Sequence, residues 1–359
     1  MIHIILGTKA QLIKMAPLML QLQENNIPYN FIFTGQHKET IDDLRENFTI
    51  KLPDVILHCG RDITSIPPML FWFVKILFKA FFFKTSIFQG DKKKSSIVLI
   101  HGDTFSTLLG AIMGKIAGFK VAHVEAGLRS FNIWNPFPEE LTRLATFRLS
   151  DIYFCPGQWA VDNLKRFPGI KINTRYNTLL DSLNLALEVK ETGLSIPSKP
   201  YCVVTTHRFE NLYSYSILER NISLIEQIAK RIRVIFILHP VTHRKLIQMN
   251  LEKRLENNLS IELHPRYDYF SFIRLIDQSE FIVTDGGSNQ EESFYLGKPC
   301  LLLRKTTERT EGIEKNVVIS HYDESKILGF VKNYTQYRTN PLRKSYSPTK
   351  MIIDYIIKQ

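Results

Sequence analysis

Short apolar runs alternate with longer stretches of helical periodicity along most of the 359 residues. The first apolar run, Ile2 to Leu6, leads into a predicted helix from Gln11 to Gln23, and the same order recurs downstream. Buried strands that alternate with helices are typical of a doubly wound parallel sheet. The pattern therefore predicts an α/β protein.

The chain is longer than a single hydrophobic core usually supports, so we expect two domains. A segment rich in Pro and Ser, 195–200, interrupts the pattern and predicts a linker. We expect a Rossmann-like domain over 1–195, a second over 200–345, and a C-terminal helix over 346–359 that could pack back across the junction. Two such domains would face each other across a cleft lined by the carboxyl ends of their strands.

Three acidic side chains stand at the edge where ligands gather in parallel α/β sheets. Asp103 and Glu125 each follow an apolar strand directly, and Glu139 opens the helix after the next turn. The carboxyl ends of parallel strands meet at one edge of a sheet, so we expect these carboxylates to lie near one another. They are the candidate proton-transfer groups.

Glycine turns predict two places where an anion could bind. Gly7 ends the first strand, and Lys9 and Lys14 add positive charge close behind it. In the second domain, Gly286, Gly287 and Ser288 lead into a helix whose N–H groups could cradle a phosphate. Ordinary glycine turns are common, so each turn alone is also consistent with a purely structural role.

Several polar side chains of the second domain could complete a nucleotide-sugar site. His207 and Arg208 follow its first strand, and Arg309 lies in a later loop. Glu292, one helical turn after the glycine pair, could accept both hydroxyl groups of a ribose. A lone histidine is more often structural, but one at a strand end could also contribute positive charge to a diphosphate site.

Composition narrows the classes of partner and of compartment. The net charge of +11 favours anionic partners, but no nucleic-acid-binding motif accompanies it, so we expect no nucleic acid. The four cysteines form no CxxC pair and adjoin apolar strands, so they predict buried thiols in a reducing, cytoplasmic compartment and no metal site. They are Cys59, Cys155, Cys202 and Cys300.

The most apolar segment, Ile66 to Phe88, is rich in phenylalanine but interrupted by Lys75, Lys79 and Lys84. A central lysine costs about 2.5–3.5 kcal/mol on membrane insertion, so a membrane span is not expected. Two interpretations stay open. The segment could be a buried or dimer-forming helix in which Lys75 and Lys79 make a polar stripe, or an interfacial helix in peripheral contact with the inner face of the membrane.

Ten motifs, in a common order from Met1 to about Ser320, resemble those of the non-hydrolysing UDP-N-acetylglucosamine 2-epimerases. The motifs are Gly7 to Pro17, Thr34 to His37, His101 to Thr104, His123 to Arg129, Pro138 to Glu140 with Arg143, Asn177-Thr178, His207-Arg208, Gln290 to Glu292, Leu296 to Pro299, and Thr306 to Arg309. Each motif is weakly specific by itself, whereas ten in register are strong evidence for the fold.

The resemblance implies two Rossmann-like domains of the GT-B type, a homodimer, and a UDP-sugar substrate with neither metal nor NAD as cofactor. It implies conversion of UDP-GlcNAc to UDP-ManNAc, or of a related UDP-2-acetamido sugar, for surface polysaccharide synthesis. UDP would be eliminated across C1–C2 and added back with the C2 hydrogen on the other face.

The resemblance also assigns roles to residues. The implied catalytic residues are Asp103, Glu125, Glu139 and His207. Arg309 would join His207 in stabilising the departing diphosphate, Glu292 would hold the ribose, and Phe272 would lie near the uracil. The remaining candidate substrate contacts are Lys9, Lys14, Arg129, Arg208, Gly286, Gly287 and Ser288.

Departures from the family pattern concern nucleotide and phosphate contacts. Lys9 replaces an arginine, Gln11 a glutamate and Gly286 a serine, while Tyr176 and Tyr267 replace a glycine and a glutamine. They leave the identity of the nucleotide-sugar open, and hydrolysis to free ManNAc stays an alternative outcome. Two other functions also stay open: a GT-B glycosyltransferase docked at the membrane through Ile66 to Phe88, and a non-catalytic UDP-sugar-binding protein.

Overall fold

A computed structural model describes residues 1–36, 41–60, 63, 66–133, 138–189, 196–197, 200–342 and 346–358. Two compact units are present: unit 1 is Met1–Leu185 with Ser347–Gln359, and unit 2 is Ala186–Tyr346. The boundary thus falls ten residues before the one expected at 195, and much of the expected linker lies outside the described residues. The C-terminal segment belongs to unit 1.

Thirteen strands are found in the described part of the chain, seven in unit 1 and six in unit 2. Those of unit 1 are β1 (Ile2–Leu6), β2 (Tyr29–Phe33), β3 (Val55–Ile56), β4 (Ile97–His101), β5 (Lys120–Val124), β6 (Ile152–Cys155) and β7 (Ile170–Asn173). Those of unit 2 are β8 (Tyr201–Thr205), β9 (Arg233–Leu238), β10 (Ile261–Pro265), β11 (Ile282–Thr284), β12 (Cys300–Leu302) and β13 (Val317–Ile319).

Helices connect these strands in both units. In chain order they are α1 (Lys9–Glu24), α2 (Ile41–Asn47), α3 (Ile66–Phe82), α4 (Lys84–Ile87), α5 (Phe105–Ala117), α6 (Glu139–Leu149), α7 (Gln158–Asn163), α8 (Leu179–Glu188), α9 (Phe209–Leu212), α10 (Tyr215–Ala229), α11 (Pro240–Gln248), α12 (Glu252–Glu256), α13 (Tyr269–Gln278), α14 (Gly287–Leu296), α15 (Glu324–Asn333) and α16 (Pro348–Ile357). A short 3-10 helix, Tyr334–Tyr337, follows α15.

Each unit contains one parallel sheet, which confirms the predicted fold class. The strand order is β3-β2-β1-β4-β5-β6-β7 in unit 1 and β10-β9-β8-β11-β12-β13 in unit 2. Every strand pair is parallel, for example Ile100 of β4 beside His123 of β5. In such a sheet all strands end at the same edge, which places Asp103 and Glu125 after neighbouring strands.

Three strands that the apolar pattern does not predict are β7, β10 and β13. Each lies at the edge of its sheet. Edge strands are half-exposed and their sequences alternate or are short, as in Ile170–Asn173, so they lack the continuous apolar run of a central strand.

The segment predicted as one apolar unit, Ile66 to Phe88, forms two helices, α3 and α4. Trp72 and Ile76 are buried in the core of unit 1, where α3 packs against α5. Of the two lysines predicted to form a polar stripe, Lys75 is exposed, whereas Lys79 Nζ donates to the Leu57 carbonyl oxygen at 2.8 Å. Among the described helices, none has the length and apolarity needed to cross a bilayer.

The C-terminal helix α16 packs against α1 within unit 1. Its first turn is fixed by the Thr349 N–H, which donates to Asp181 Oδ2 at 2.8 Å. Three of the four cysteines are buried, as predicted, but Cys59 is exposed because it lies in the loop after β3 and not within a strand.

His123 in β5 is a buried histidine that the folded protein holds neutral. Its Nε2 donates to the Gly102 carbonyl oxygen at 2.6 Å. Burial lowers its pKa from 6.5 to about 4, although the hydrogen bond to Gly102 and the charges of Asp103 and Glu125 act to raise it. The unfolded chain therefore binds a proton at this site at a higher pH than the folded protein does.

This difference predicts a loss of stability as the pH falls from about 6.5 to about 4. The contribution of His123 is complete above that window, and about 3 kcal/mol of it is lost by the lower end. In a His123→Gln variant, whose amide can still donate to Gly102, the melting temperature should fall less steeply over the same window. Equal slopes for the two proteins in a thermal-melting series would contradict this role.

Candidate active site

Glu125 lies directly after β5 and its carboxylate is buried between two basic side chains. Lys14 Nζ donates to Oε1 at 2.6 Å, and His101 Nε2 lies 3.1 Å from Oε2. The side chains of Lys14 and Glu125 are 4% and 5% exposed. A buried carboxylate is expensive unless it is paired, so Lys14 on α1 makes this position possible for an acid.

The backbone of Glu125 adopts a left-handed conformation, with φ of +60°. This conformation costs about 1–3 kcal/mol in a residue other than glycine and persists only when its surroundings fix it. The peptide groups on both sides of Glu125 are fixed here: the Val124 carbonyl oxygen accepts from the Gly102 N–H at 3.0 Å, and the Ala126 N–H donates to the Phe154 carbonyl oxygen at 3.0 Å. Strain of this kind concentrates at functional sites.

Asp103, after β4, belongs to a second network of charges in unit 1. Arg143 donates to its Oδ2 from Nε at 2.9 Å and from Nη2 at 2.6 Å. The same arginine contacts Glu140 Oε2 at 3.3 Å, and Arg129 Nε donates to Glu140 Oε1. Arg129, a predicted substrate contact, therefore also pairs with a fully buried carboxylate.

Glu140 organises this network and Glu139 stands beside it. Burial acts to raise the pKa of Glu140, but the Ser130 N–H and the hydrogen bonds and charge of Arg129 hold it below its ordinary value. Glu139 is the first residue of α6 and is partly exposed. The positive end of the helix favours a carboxylate at that place.

The turn after β1 is shaped by close packing. A Cβ at Gly7 would lie 2.0 Å from Ser106 Oγ and 2.1 Å from Thr34 Oγ1, so no larger residue fits there. Gln11, in place of the glutamate of the family pattern, accepts from the Gly7 N–H at 2.9 Å and donates to the His101 carbonyl oxygen at 2.7 Å. Lys9 opens α1 and is partly exposed, whereas Lys14 lies one turn further on, at Glu125.

In unit 2, Asp285 organises the loop that carries His207. Its buried carboxylate accepts from the N–H of His207 at 3.0 Å, from the N–H of Arg208 at 3.0 Å and from Asn211 Nδ2 at 2.9 Å. Burial lowers the pKa of His207; the charge of Asp285 acts to raise it, and the charges of Arg208 and Arg266 lower it further. The lowered pKa favours the neutral form of the His207 imidazole, which can still donate a hydrogen bond.

The predicted phosphate cradle lies at the start of α14. The N–H of Gly286 already donates to Thr284 Oγ1 at 3.0 Å, so the cradle would rely on the N–H groups that follow, including that of Ser288. A Cβ at Gly286 would lie 3.2 Å from His207 Cε1, so the glycine lets this ring approach the helix.

Arg309 reaches the same helix start because Gly287 has no side chain. A Cβ at Gly287 would lie 2.7 Å from Arg309 Nε. The guanidinium group is held by Glu291, whose buried carboxylate accepts from Nη1. The arginine is thus fixed in place before any ligand binds.

Glu292 and Phe272 occupy adjoining helices of unit 2. Glu292 is 3% exposed and accepts from Asn289 Nδ2 at 2.8 Å. Burial, followed by the charges of Glu292 and Glu291, raises the pKa of Tyr269 well above its ordinary value. Phe272 lies half-buried on α13, which packs against α14.

A cluster of arginines surrounds Glu308 in the loop after β12. Burial acts to raise the pKa of Glu308, but the charges of Arg304, Arg309 and Arg208 outweigh it and lower the pKa to about 2. Arg304 Nη2 donates to Glu308 Oε2 at 3.1 Å, and Arg208 Nη2 lies 3.8 Å from Oε1. The negative charge of Glu308 therefore holds the guanidinium groups of Arg304 and Arg208 close to one another.

The sequence singled out most of these side chains but not the groups that hold them. The organising roles of Glu140, Asp285 and Glu291 were not predicted, because each contacts residues remote along the chain or is read as a simple helix or turn position. The sequence feature that could have indicated these roles is an acidic residue close along the chain to an arginine or glycine of one of the motifs. Among the described residues, no group of three or more His, Cys, Asp or Glu side chains is arranged to hold a metal ion.

Comparison with known proteins agrees with the motifs. The family model for UDP-N-acetylglucosamine 2-epimerase matches residues 20–350. The chain is 34% identical to the UDP-N-acetylglucosamine 2-epimerase of Methanococcus maripaludis over 351 residues, which span 92% of this chain and 90% of that protein.

Solved structures of this family are similar over the whole chain. The UDP-GlcNAc 2-epimerase of Neisseria meningitidis bound to UDP-GlcNAc matches with a TM-score of 0.83 at 27% identity, covering 100% of both chains. The enzyme of Methanocaldococcus jannaschii in complex with UDP-GlcNAc and UDP matches with a TM-score of 0.81 at 27% identity, covering 100% of this chain and 99% of that one. The chain therefore belongs to the UDP-N-acetylglucosamine 2-epimerase family, as its motifs predict.

Proposed function

We propose that this protein is a UDP-N-acetylglucosamine 2-epimerase that interconverts UDP-GlcNAc and UDP-ManNAc and supplies surface polysaccharide synthesis. The observation that carries the proposal is Glu125, a carboxylate held between Lys14 and His101 by a strained backbone in unit 1. The Neisseria meningitidis and Methanocaldococcus jannaschii proteins, both named UDP-GlcNAc 2-epimerases, bind UDP-GlcNAc.

The carboxylates of unit 1 would move the proton at C2. One carboxylate takes the C2 proton, the electron pair of that bond forms the C1–C2 double bond, and UDP leaves with the electrons of the C1–O bond. Re-addition of UDP and delivery of a proton to the opposite face give the epimer. The proposed groups for these proton transfers are Glu125, Asp103 and Glu139. Glu125 and Asp103 each follow a strand of the sheet in unit 1, and Glu139 begins a helix of the same unit.

The side chains of unit 2 would hold the nucleotide. Arg309 and the start of α14 suit the departing diphosphate, since they combine a fixed guanidinium group with backbone N–H donors. His207, in its neutral form, would donate a hydrogen bond to the same group. Glu292 would bind the ribose and Phe272 would lie near the uracil, while Lys9 and Arg208 would add phosphate contacts. The homodimer and the cytoplasmic location stay predictions.

Product analysis by NMR tests the proposed reaction. Incubation with UDP-GlcNAc should give UDP-ManNAc at equilibrium with the substrate, and no free sugar. Accumulation of free ManNAc with UDP would instead establish a hydrolase. Conversion only after addition of a sugar acceptor would establish a glycosyltransferase, and either result would refute the proposal.

Replacing Glu125 with Gln should abolish turnover while UDP affinity stays nearly unchanged. The amide cannot take a proton, and loss of a general acid–base group costs about a hundredfold to ten-thousandfold in rate. Steady-state turnover and calorimetric titration with UDP measure the two quantities. Asp162→Asn is the matched control, since Asp162 is a surface residue that pairs with Lys165 and accepts from Gln158 Nε2, and its turnover should equal that of wild type. A fully active Glu125→Gln variant would refute the assigned role.

A methyl group at Gly287 should weaken UDP binding. It would lie 2.7 Å from Arg309 Nε, and Glu291 prevents the arginine from moving aside freely. We expect a loss of about tenfold in UDP affinity, or about 1.4 kcal/mol. Gly329→Ala in α15, where a Cβ meets nothing within 4 Å, is the matched control and should bind UDP normally. Equal affinities for the two variants would exclude Arg309 as a phosphate contact.

A further inference from the structure

One face of α3 exposes a stripe of large apolar side chains that the proposed reaction does not use. Its members recur at helical spacing and are Phe71, Val74, Phe78, Phe81 and Phe82, hereafter the phenylalanine face; each is at least 60% exposed. The opposite side of the helix is anchored by the buried Trp72 and Ile76. Exposed apolar patches of this kind mark interaction surfaces.

The segment that carries this face bears charges of one sign. Residues 63–90 contain no aspartate or glutamate. Lys75 lies within one helical turn of Phe71 and Phe78, Lys84 opens α4, and both lysines are exposed, as are the three consecutive lysines 92–94. The acid-free stretch therefore combines an apolar stripe with cationic flanks.

We propose that the phenylalanine face docks onto the surface of an anionic lipid bilayer, with α3 lying in the plane of the interface. An amphipathic helix with aromatic residues on one face and lysines beside them is suited to this position. The rings enter the boundary between headgroups and acyl chains, and the ammonium groups remain among the phosphates. α3 is not long and apolar enough to span the bilayer.

Charge complementarity favours lipid over a second copy of the chain. In a two-fold symmetric contact the same patch meets itself, so each copy would bring its lysines to the shared surface and no carboxylate from 63–90 to neutralise them. Anionic headgroups supply the missing negative charge, at about 1 kcal/mol for each lysine near the surface.

Flotation of the full chain with vesicles tests the proposal in the absence of substrate, so its outcome is independent of the reaction. The vesicles are phosphatidylcholine alone or phosphatidylcholine mixed with phosphatidylglycerol. Wild type should bind the anionic vesicles. Phe78→Asp should bind them at least about tenfold more weakly, because a buried phenylalanine contributes about 1.5–3 kcal/mol. Lys75→Gln and Lys84→Gln should each lose about fivefold on anionic vesicles only.

Leu259→Asp is the matched control, because Leu259 is a fully exposed apolar residue of unit 2 remote from α3 in sequence. It should bind vesicles as wild type does, and all variants should melt at the wild-type temperature. Failure of wild type to bind anionic vesicles, or equal binding by Phe78→Asp, would overturn the proposal. Light scattering measures the oligomeric state of wild type and of Phe78→Asp. If wild type is an oligomer that does not bind lipid and Phe78→Asp dissociates it, the face joins two copies of the chain and the proposal is also overturned.

Discussion

A carboxylate can remain charged inside a folded protein only if cations or hydrogen-bond donors lie beside it, and this constraint shapes both units. In unit 1 the pair is Lys14 and Glu125, 2.6 Å apart and almost without exposure. The two residues are 111 positions apart along the chain. Their contact requires β1, which precedes α1, to lie beside β4, and β4 beside β5, as the sheet order provides. The order of the sheet and the placement of the acid therefore depend on each other.

The same principle explains why the two units contain buried acidic residues besides those proposed to transfer protons. Glu140 orients Arg129 and Arg143, and Arg143 in turn holds Asp103. In unit 2, Glu291 holds Arg309 where the absence of a side chain at Gly287 leaves room. Acids that do not touch the substrate would thus fix the position of the groups that do. Preorganised charge of this kind needs no rearrangement when negative charge develops on a leaving group.

The fold class and the acidic positions could be predicted from the sequence because they follow from local pattern. A buried strand reads as an apolar run, and a polar residue directly after it must lie at the carboxyl edge of the sheet. The edge strands β7 and β10 have no such run, and that of β13 spans only three residues. The partner of Lys14 could not be predicted either, since ion pairs between distant segments depend on the strand order. The inward course of Lys79 likewise depends on a carbonyl group in the loop after β3.

In the proposed reaction, carboxylates of unit 1 exchange the proton at C2 of the bound sugar. Incubation of the enzyme with UDP-GlcNAc in D2O measures this step most directly, by NMR of the recovered nucleotide-sugars. We expect deuterium to replace the C2 hydrogen in the UDP-ManNAc formed and, through the reverse reaction, in the remaining UDP-GlcNAc. Epimerisation that leaves the original hydrogen at C2, or no exchange with any UDP-N-acetylhexosamine, would contradict it.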